Sequence, residues 1–194
     1  LRSEGRAVTP ESRGFVEKLW KAMEITGIPY MVTGSFATAV HGVPRATQDI
    51  DVIIDPGRDQ LLAFLDHFPE AEYYTDVADA LEALESRSQF NVIDQRTIWK
   101  ADFIFRKDRP FSRTEFERRR KTNILGLPLY AATPEDLLIA KLEWGKAGES
   151  DRQIRDAAGI IAIQGDALDR AYIEKWVKAM GLAREWEKAQ KETG

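Results

Sequence analysis

The sequence predicts an α/β fold, in which strands and helices alternate over the first two thirds and helices alone fill the last. Three observations predict it. From Tyr30 to Tyr130, apolar runs of strand length alternate with stretches of helical period. Gly, Pro, Asp and Ser residues punctuate the junctions between them. From Thr133 onward the apolar period is helical and no strand pattern recurs. A chain of 194 residues suits one compact core, or a core with a helical appendage. The expected division is a core domain over residues 1–130 and a C-terminal helical region over 131–194 packed on that core.

Taken in order, Phe15, Leu19, Trp20, Met23 and Ile25 recur at near-helical spacing after a polar start, and Gly27 and Pro29 stop the run. Tyr30–Thr33 reads as a short apolar strand, followed by a Gly34-Ser35 turn, a helical segment of small residues and a basic loop at Arg45. A second apolar strand starts at Asp49 and runs to Ile54. Asp55-Pro56-Gly57 is a turn, after which Leu61, Leu62, Leu65 and Phe68 share a helical face that Pro69 ends. Thr75 or Asp76 caps a helix carrying Val77, Leu81 and Leu84. Strands are expected at Phe90–Ile93 and Ile98–Phe105, and a hairpin at Thr122–Leu125 and Leu127–Tyr130 around Gly126, with Pro128 suggesting a sheet edge. Thr133-Pro134 opens a helix expected to break at Gly145–Gly148; Ser150 or Asp151 opens the next, and Asp166–Met180 and Leu182–Lys191 follow as amphipathic helices.

Composition narrows the function classes. No apolar run approaches the roughly 18–20 residues needed to span a bilayer, so no membrane is expected as a partner. With no cysteine, disulfides, thiolate metal sites and cysteine nucleophiles are excluded, and a cytoplasmic location is the expectation. A net charge of −4 gives no global attraction to nucleic acid, so any polyanion must be met locally.

The stretch Tyr30–Asp55 carries the chemistry. Asp49 and Asp51 lie two residues apart on one strand, so their side chains share a face roughly 6.5 Å apart. Paired carboxylates on a strand repel and lose hydration unless cations compensate them, and hard oxygen donors select Mg²⁺ or Mn²⁺. Gly34 permits a tight turn, and Ser35 can cap a helix whose free N–H groups favour an anion. Alone, a Gly-Ser is a turn and an Asp-x-Asp a solvated strand end; together, in this order, they set a phosphate site beside a metal site.

Two further stretches bear on that site. Asp102 sits within Lys100-Ala101-Asp102-Phe103-Ile104-Phe105, where Lys100, Asp102 and Ile104 share one face. It is either an edge residue facing water or, if its strand lies beside that of Asp49 and Asp51, the third carboxylate of a cluster that two divalent ions ~3.5–4 Å apart could bridge. From Arg106 to Lys121, eight basic residues stand against three acidic ones, forming either a solvated helix face or a surface for a polyanionic acceptor. Lys141, within an apolar helical pattern, either snorkels to solvent or offsets the charge of a triphosphate.

Gly34-Ser35 followed by Asp49-Ile50-Asp51 resembles the signature of the DNA polymerase beta-like nucleotidyltransferase superfamily. Adding Lys100-Ala101-Asp102, Thr133 with Lys141, and Arg155-Asp156, the order of motifs is similar to that of the AbiEii/AbiGii toxin-type nucleotidyltransferases, over about residues 30–160. Where that family often has Arg-Asp-x-x-Asp, this chain has Gly159 in the last position. The resemblance implies a mixed sheet flanked by helices and Mg²⁺-dependent (or Mn²⁺-dependent) transfer of a nucleoside monophosphate from a nucleoside triphosphate. It implies Asp49, Asp51 and Asp102 as catalytic and metal-binding residues, and Gly34, Ser35, Arg45, Thr47 and Lys141 as nucleotide-binding residues. The acceptor could be RNA or tRNA, or a protein, met through Arg106–Lys121; an antitoxin partner would accompany a toxin role. A small-molecule adenylyltransferase of the aminoglycoside-modifying kind, with an acidic acceptor cleft, and a silent nucleotide-binding module are the alternatives.

Overall fold

A computed structural model describes residues 10–41 and 49–193. The chain divides into two compact units, one formed by Leu1–Phe36 with Ala46–Ala131, the other by Ala37–Arg45 with Ala132–Gly194. The first unit holds α1 (Pro10–Thr26), β1 (Tyr30–Thr33), the start of α2 (Gly34–His41), β2 (Asp49–Ile54), α3 (Arg58–Leu65), β3 (Tyr73–Tyr74), α4 (Val77–Ser86), β4 (Gln89–Asp94), β5 (Lys100–Phe105), α5 (Pro110–Arg118), β6 (Arg120–Ile124) and β7 (Leu127–Ala131). The strands form one mixed sheet in the order β3-β4-β5-β2-β1-β7-β6. β2 runs parallel to β5 and antiparallel to β1, and β1 meets β7 in parallel. The fold class is the expected α/β mixed sheet flanked by helices.

Period-two alternation explains which face is buried. In β2, Ile50, Val52 and Ile54 are buried while Asp49, Asp51 and Ile53 are not; β5 repeats this with Ala101, Phe103 and Phe105 against Lys100, Asp102 and Ile104. Helices cover the apolar face. Phe64 of α3 meets Phe103 edge-on at 5.0 Å between ring centroids, and Phe90 of β4 stacks on Phe103 at 5.2 Å. Phe15 of α1 stacks on Tyr73 of the short strand β3, an element the sequence pattern did not announce. Asp76, rather than Thr75, caps α4, accepting from Ala78 N–H at 2.7 Å.

The hairpin forms as expected around Leu125-Gly126, both at positive φ, and the Asn123 side chain accepts from the Gly126 N–H. Its strands differ from expectation in two ways. β6 starts at Arg120, so part of the basic run is strand, and β6 rather than β7 is the edge. Pro128 therefore lies on an interior strand. It is tolerated because β7 meets β1 only at Val32↔Ala131, beyond the proline, which needs no N–H there.

Where β2 and β5 end, three charges join them. Arg106 donates to Asp55 Oδ2 from Nε at 2.9 Å and Nη2 at 2.8 Å, while Arg87 takes the other oxygen at 2.6 Å. Burial alone would push the Asp55 carboxyl up; the bonds from Arg87 and Arg106 override it and hold Asp55 below its ordinary value.

The second unit holds the rest of α2 with α6 (Pro134–Gly148), α7 (Asp151–Gln164), α8 (Arg170–Met180) and α9 (Ala183–Lys191). Thr133 caps α6 as its sequence predicts. The helix continues through Gly145 and ends at Gly148, the far end of the expected break. Gly145 serves packing: a Cβ there would stand 2.7 Å from Ile154 Cδ1 of α7, so the glycine lets two helices approach. Lys141 does not snorkel. It is 4% exposed and donates to Asp156 Oδ2 at 2.9 Å. No helix among the described residues is long and apolar enough to cross a membrane.

Both ion pairs can be tested through stability. Asp55→Ala should lower urea-measured stability by about 2 kcal/mol at neutral pH, the scale of charge-assisted hydrogen bonds at a partly exposed site. Because Asp55 is held below its ordinary value of 3.8, its contribution is present above that pH and fades as pH falls through the folded value. The gap to wild type should therefore close on acidification. Lys141→Met should cost about 3–5 kcal/mol by removing the cation beside the largely buried Asp156 carboxylate, and adding Asp156→Leu should recover much of that loss. Equal stability of the Lys141→Met single variant and wild type would contradict the buried pair.

Candidate active site

Register decides which polar side chains meet. Thr33 of β1 pairs with Asp51 of β2, Asp51 with Asp102 of β5, and Asp102 with Asn91 of β4. One row across four strands thus carries two carboxylates side by side, on strands about 4.8 Å apart. In the neighbouring row Asp49 pairs with Lys100, and Lys100 with Ile93. Asp49, Asp51, Lys100 and Asp102 therefore form a two-by-two array on the face that the helices of this unit leave half-exposed. The conditional reading of the sequence, that Asp102 stands beside the Asp49 and Asp51 strand, is met by the parallel pairing of β2 and β5.

Gly34 shapes the array from above. It opens α2 at φ +64°, and a Cβ on it would fall 1.8 Å from Asp51 Oδ2. Any side chain there would displace the carboxylate, and an L-residue would also be strained at that φ. Ser35, next in α2, is buried. Gly34, Ser35, Asp49 and Asp51 all take part in further interactions.

Sequence reasoning missed Lys100 as a site residue, although its period-two position already put it on the face of Asp102. Its ammonium donates to Asp102 Oδ2 at 2.8 Å and lies 3.8 Å from Asp49 Oδ1. The bond to Asp102 raises the lysine pKa against the lowering effect of burial, and the charges of Asp102, Asp49 and Asp51 add to the rise. What sequence alone could not supply was the register that brings Asp49 to its other side.

Asp49 and Asp51 fit a hard divalent ion of the Mg²⁺ type. Such an ion is held by one or two carboxylates and completes its shell with waters and substrate phosphates; Asp49 is exposed to them, and the missing side chain of Gly34 lets the Asp51 carboxylate sit against the start of α2. Among the described residues, no three acidic or histidine side chains converge as a metal cluster.

The other expected site residues fall elsewhere. Arg45 and Thr47 lie outside the described residues. Lys141 belongs to the helical unit, paired with Asp156, a residue of the weakest sequence motif. Of the basic run, Arg106 is bound to Asp55, Arg113 to Asp108, and Arg119 lies over the Phe116 ring at 4.2 Å while donating to the Phe116 carbonyl. Arg120 and Lys121 are exposed on the edge strand, Lys121 5.7 Å from the centre of the Tyr130 ring. On the other side of the array a groove of about 310 Å³ is lined by Tyr74, Asp76, Asp79, Glu82, Gln89 and Asn91, among others.

No protein-family model matches this chain, and no curated protein matches it in sequence. Solved structures do. The solution structure of the antibiotic-resistance factor ANT(2'')-Ia matches at TM-score 0.56 and 12% identity, covering 93% of this chain and 97% of that one. An antigenic nucleotidyltransferase-like protein from Paracoccidioides brasiliensis matches at 0.55 and 16%, covering 95% and 94%. A Thermotoga maritima protein studied as a candidate nucleotidyltransferase matches at 0.50 and 14%, covering 78% and 95%. At such identities the likeness concerns the fold. The chain has the nucleotidyltransferase fold, and the array of Asp49, Asp51, Lys100 and Asp102 lies on the open face of its sheet.

Proposed function

We propose that the protein transfers a nucleoside monophosphate from a nucleoside triphosphate to an acceptor hydroxyl. The observation that carries this reading is the register of Asp51 with Asp102 beside Asp49, with Gly34 forced to lack a side chain. Asp49 and Asp51 would hold Mg²⁺ or Mn²⁺, which when bound supplies charge neutralisation at the triphosphate. Gly34 and Ser35, opening α2, bind phosphate oxygens at the positive end of that helix. The acceptor oxygen bonds to the α-phosphorus as the bond to the bridging oxygen breaks, and pyrophosphate leaves with that electron pair. The hydroxyl proton passes to Asp102, which Lys100 holds in place. Arg45 and Thr47, which precede β2 in the chain, are further nucleotide-binding residues in this reading. The order of motifs favours the toxin-type branch, with RNA or protein as acceptor and an antitoxin as partner.

The experiment is incubation of each α-³²P nucleoside triphosphate with Mg²⁺ and a total cell extract, reading label in RNA, protein and small molecules separately. Label in one fraction, absent with the Asp51→Asn variant, is the expected result. No label above that variant with any nucleotide and either Mg²⁺ or Mn²⁺ would overturn the reading.

Asp49→Asn and Asp51→Asn should each slow transfer roughly 100-fold or more, corresponding to a few kcal/mol of lost transition-state stabilisation. Neither should unfold the chain, because each removes one charge from a crowded anionic array. Retained turnover in either variant, or loss of its circular-dichroism spectrum, would contradict that assignment.

An RNA acceptor would meet the exposed Arg120 and Lys121 of the edge strand, Arg106 and Arg119 being engaged with Asp55 and Phe116. Arg120→Ala with Lys121→Ala should weaken RNA binding and reduce the log–log salt slope by about 0.7 for each phosphate no longer neutralised. Triphosphate binding should stay within about twofold. A second reading has its own observation. The groove holding Asp76, Asp79 and Glu82 adjoins Asn91, which pairs with Asp102, and so favours a small cationic acceptor. Label confined to small molecules, with no response to Arg120→Ala and Lys121→Ala, would select it.

A further inference from the structure

Asp102 already has a cation. The Lys100 ammonium lies 2.8 Å from Asp102 and 3.8 Å from Asp49, so it bridges the two carboxylates of the array that a second divalent ion would have to share. The lysine is held there by its strand position. Its backbone is in register with Asp49 on one side and Ile93 on the other, and its side chain rises on the same face as Asp102, two residues on. Charge balance agrees. Without substrate, three carboxylates and one ammonium leave two negative charges, which one divalent ion neutralises.

We propose that Lys100 takes the place of the second metal ion, so that this chain works with one divalent ion at Asp49 and Asp51 and a lysine at Asp102. The inference rests on the transfer reading above and specifies its cation requirement. In the reaction, Lys100 is a positioning residue. It orients the Asp102 carboxylate and offsets charge beside the attacking oxygen, and it loses no proton itself. A lysine is a fixed cation on a flexible stem, so this arrangement needs no further carboxylate to complete a coordination shell.

Mn²⁺ binding tests this without any turnover. Free Mn²⁺ is followed by electron paramagnetic resonance, and binding heat by calorimetry, for the full chain and for Lys100→Met, Lys100→Gln, Asp51→Asn and Asp102→Asn. Wild type should bind one Mn²⁺ per chain, lost in Asp51→Asn and changed less than about threefold in Asp102→Asn. Both lysine variants should bind two. Two ions in wild type, a wild-type ion lost in Asp102→Asn, or no second ion in folded lysine variants would each overturn the inference while leaving metal-dependent transfer standing. No Mn²⁺ bound by wild type at millimolar concentration would instead remove the metal reading, and this inference with it. Should neither lysine variant fold by circular dichroism, the comparison of wild type with Asp102→Asn decides alone.

Discussion

Two carboxylates held side by side on neighbouring parallel strands are the constraint on which the rest of this structure depends. Unit charges about 5 Å apart repel by roughly 3 kcal/mol at an effective dielectric near 20. Such a pair persists only where the fold over-determines it. The opposing face of the same strands does so: Ile50, Val52, Ala101 and Phe103 are fully buried there, and burying one large apolar side chain is worth about 1.5–3 kcal/mol. Because alternate residues of one strand take opposite faces, the apolar packing that holds β2 against β5 also keeps Asp51 against Asp102. Lys100 then offsets part of the repulsion locally.

Register is the quantity most in need of protection, since a slip of one residue would turn both carboxylates into the apolar core. The Arg87–Asp55–Arg106 group supplies that protection at the strand ends. Asp55 follows β2 directly and Arg106 follows β5 directly, while Ile54 and Phe105 pair in register just before them. An ion group that joins the two strands four residues beyond Asp51 and Asp102 therefore fixes the site's alignment. It also explains why Arg106, which in sequence belongs to the basic run, does not serve as a free surface charge.

Most of the fold was legible because period and punctuation are local properties. The strands Tyr30–Thr33 and Asp49–Ile54, the Thr133 cap and the Gly126 hairpin follow from patterns a few residues long, whereas the strand expected at Ile98–Phe105 forms only from Lys100, Ile98 lying at positive φ. The departures trace to tertiary contacts. Gly145 reads as a helix breaker until Ile154 of the next helix is seen against it, and Pro128 reads as an edge residue until β7 is seen to join β1 only after it, at Ala131. Lys141 looks free to reach solvent until Asp156, fifteen residues on, is found beside it. The placement of the candidate carboxylates was legible in the same measure: alternation put Asp49 and Asp51 on one face, whereas the positions of Asp102 and Lys100 beside them needed a register that no single strand contains.

The central claim is that the open face of β2 binds a divalent ion and a triphosphate together. It is tested most directly by crystals grown with Mn²⁺ and a nucleoside triphosphate analogue whose α,β-bridging oxygen is replaced by methylene. The account predicts an anomalous peak within coordination distance of Asp49 and Asp51, about 2.0–2.2 Å for a hard ion of this class, with the triphosphate reaching the Gly34-Ser35 end of α2. An ordered analogue bound elsewhere, or Mn²⁺ held by residues other than Asp49 and Asp51, would contradict it.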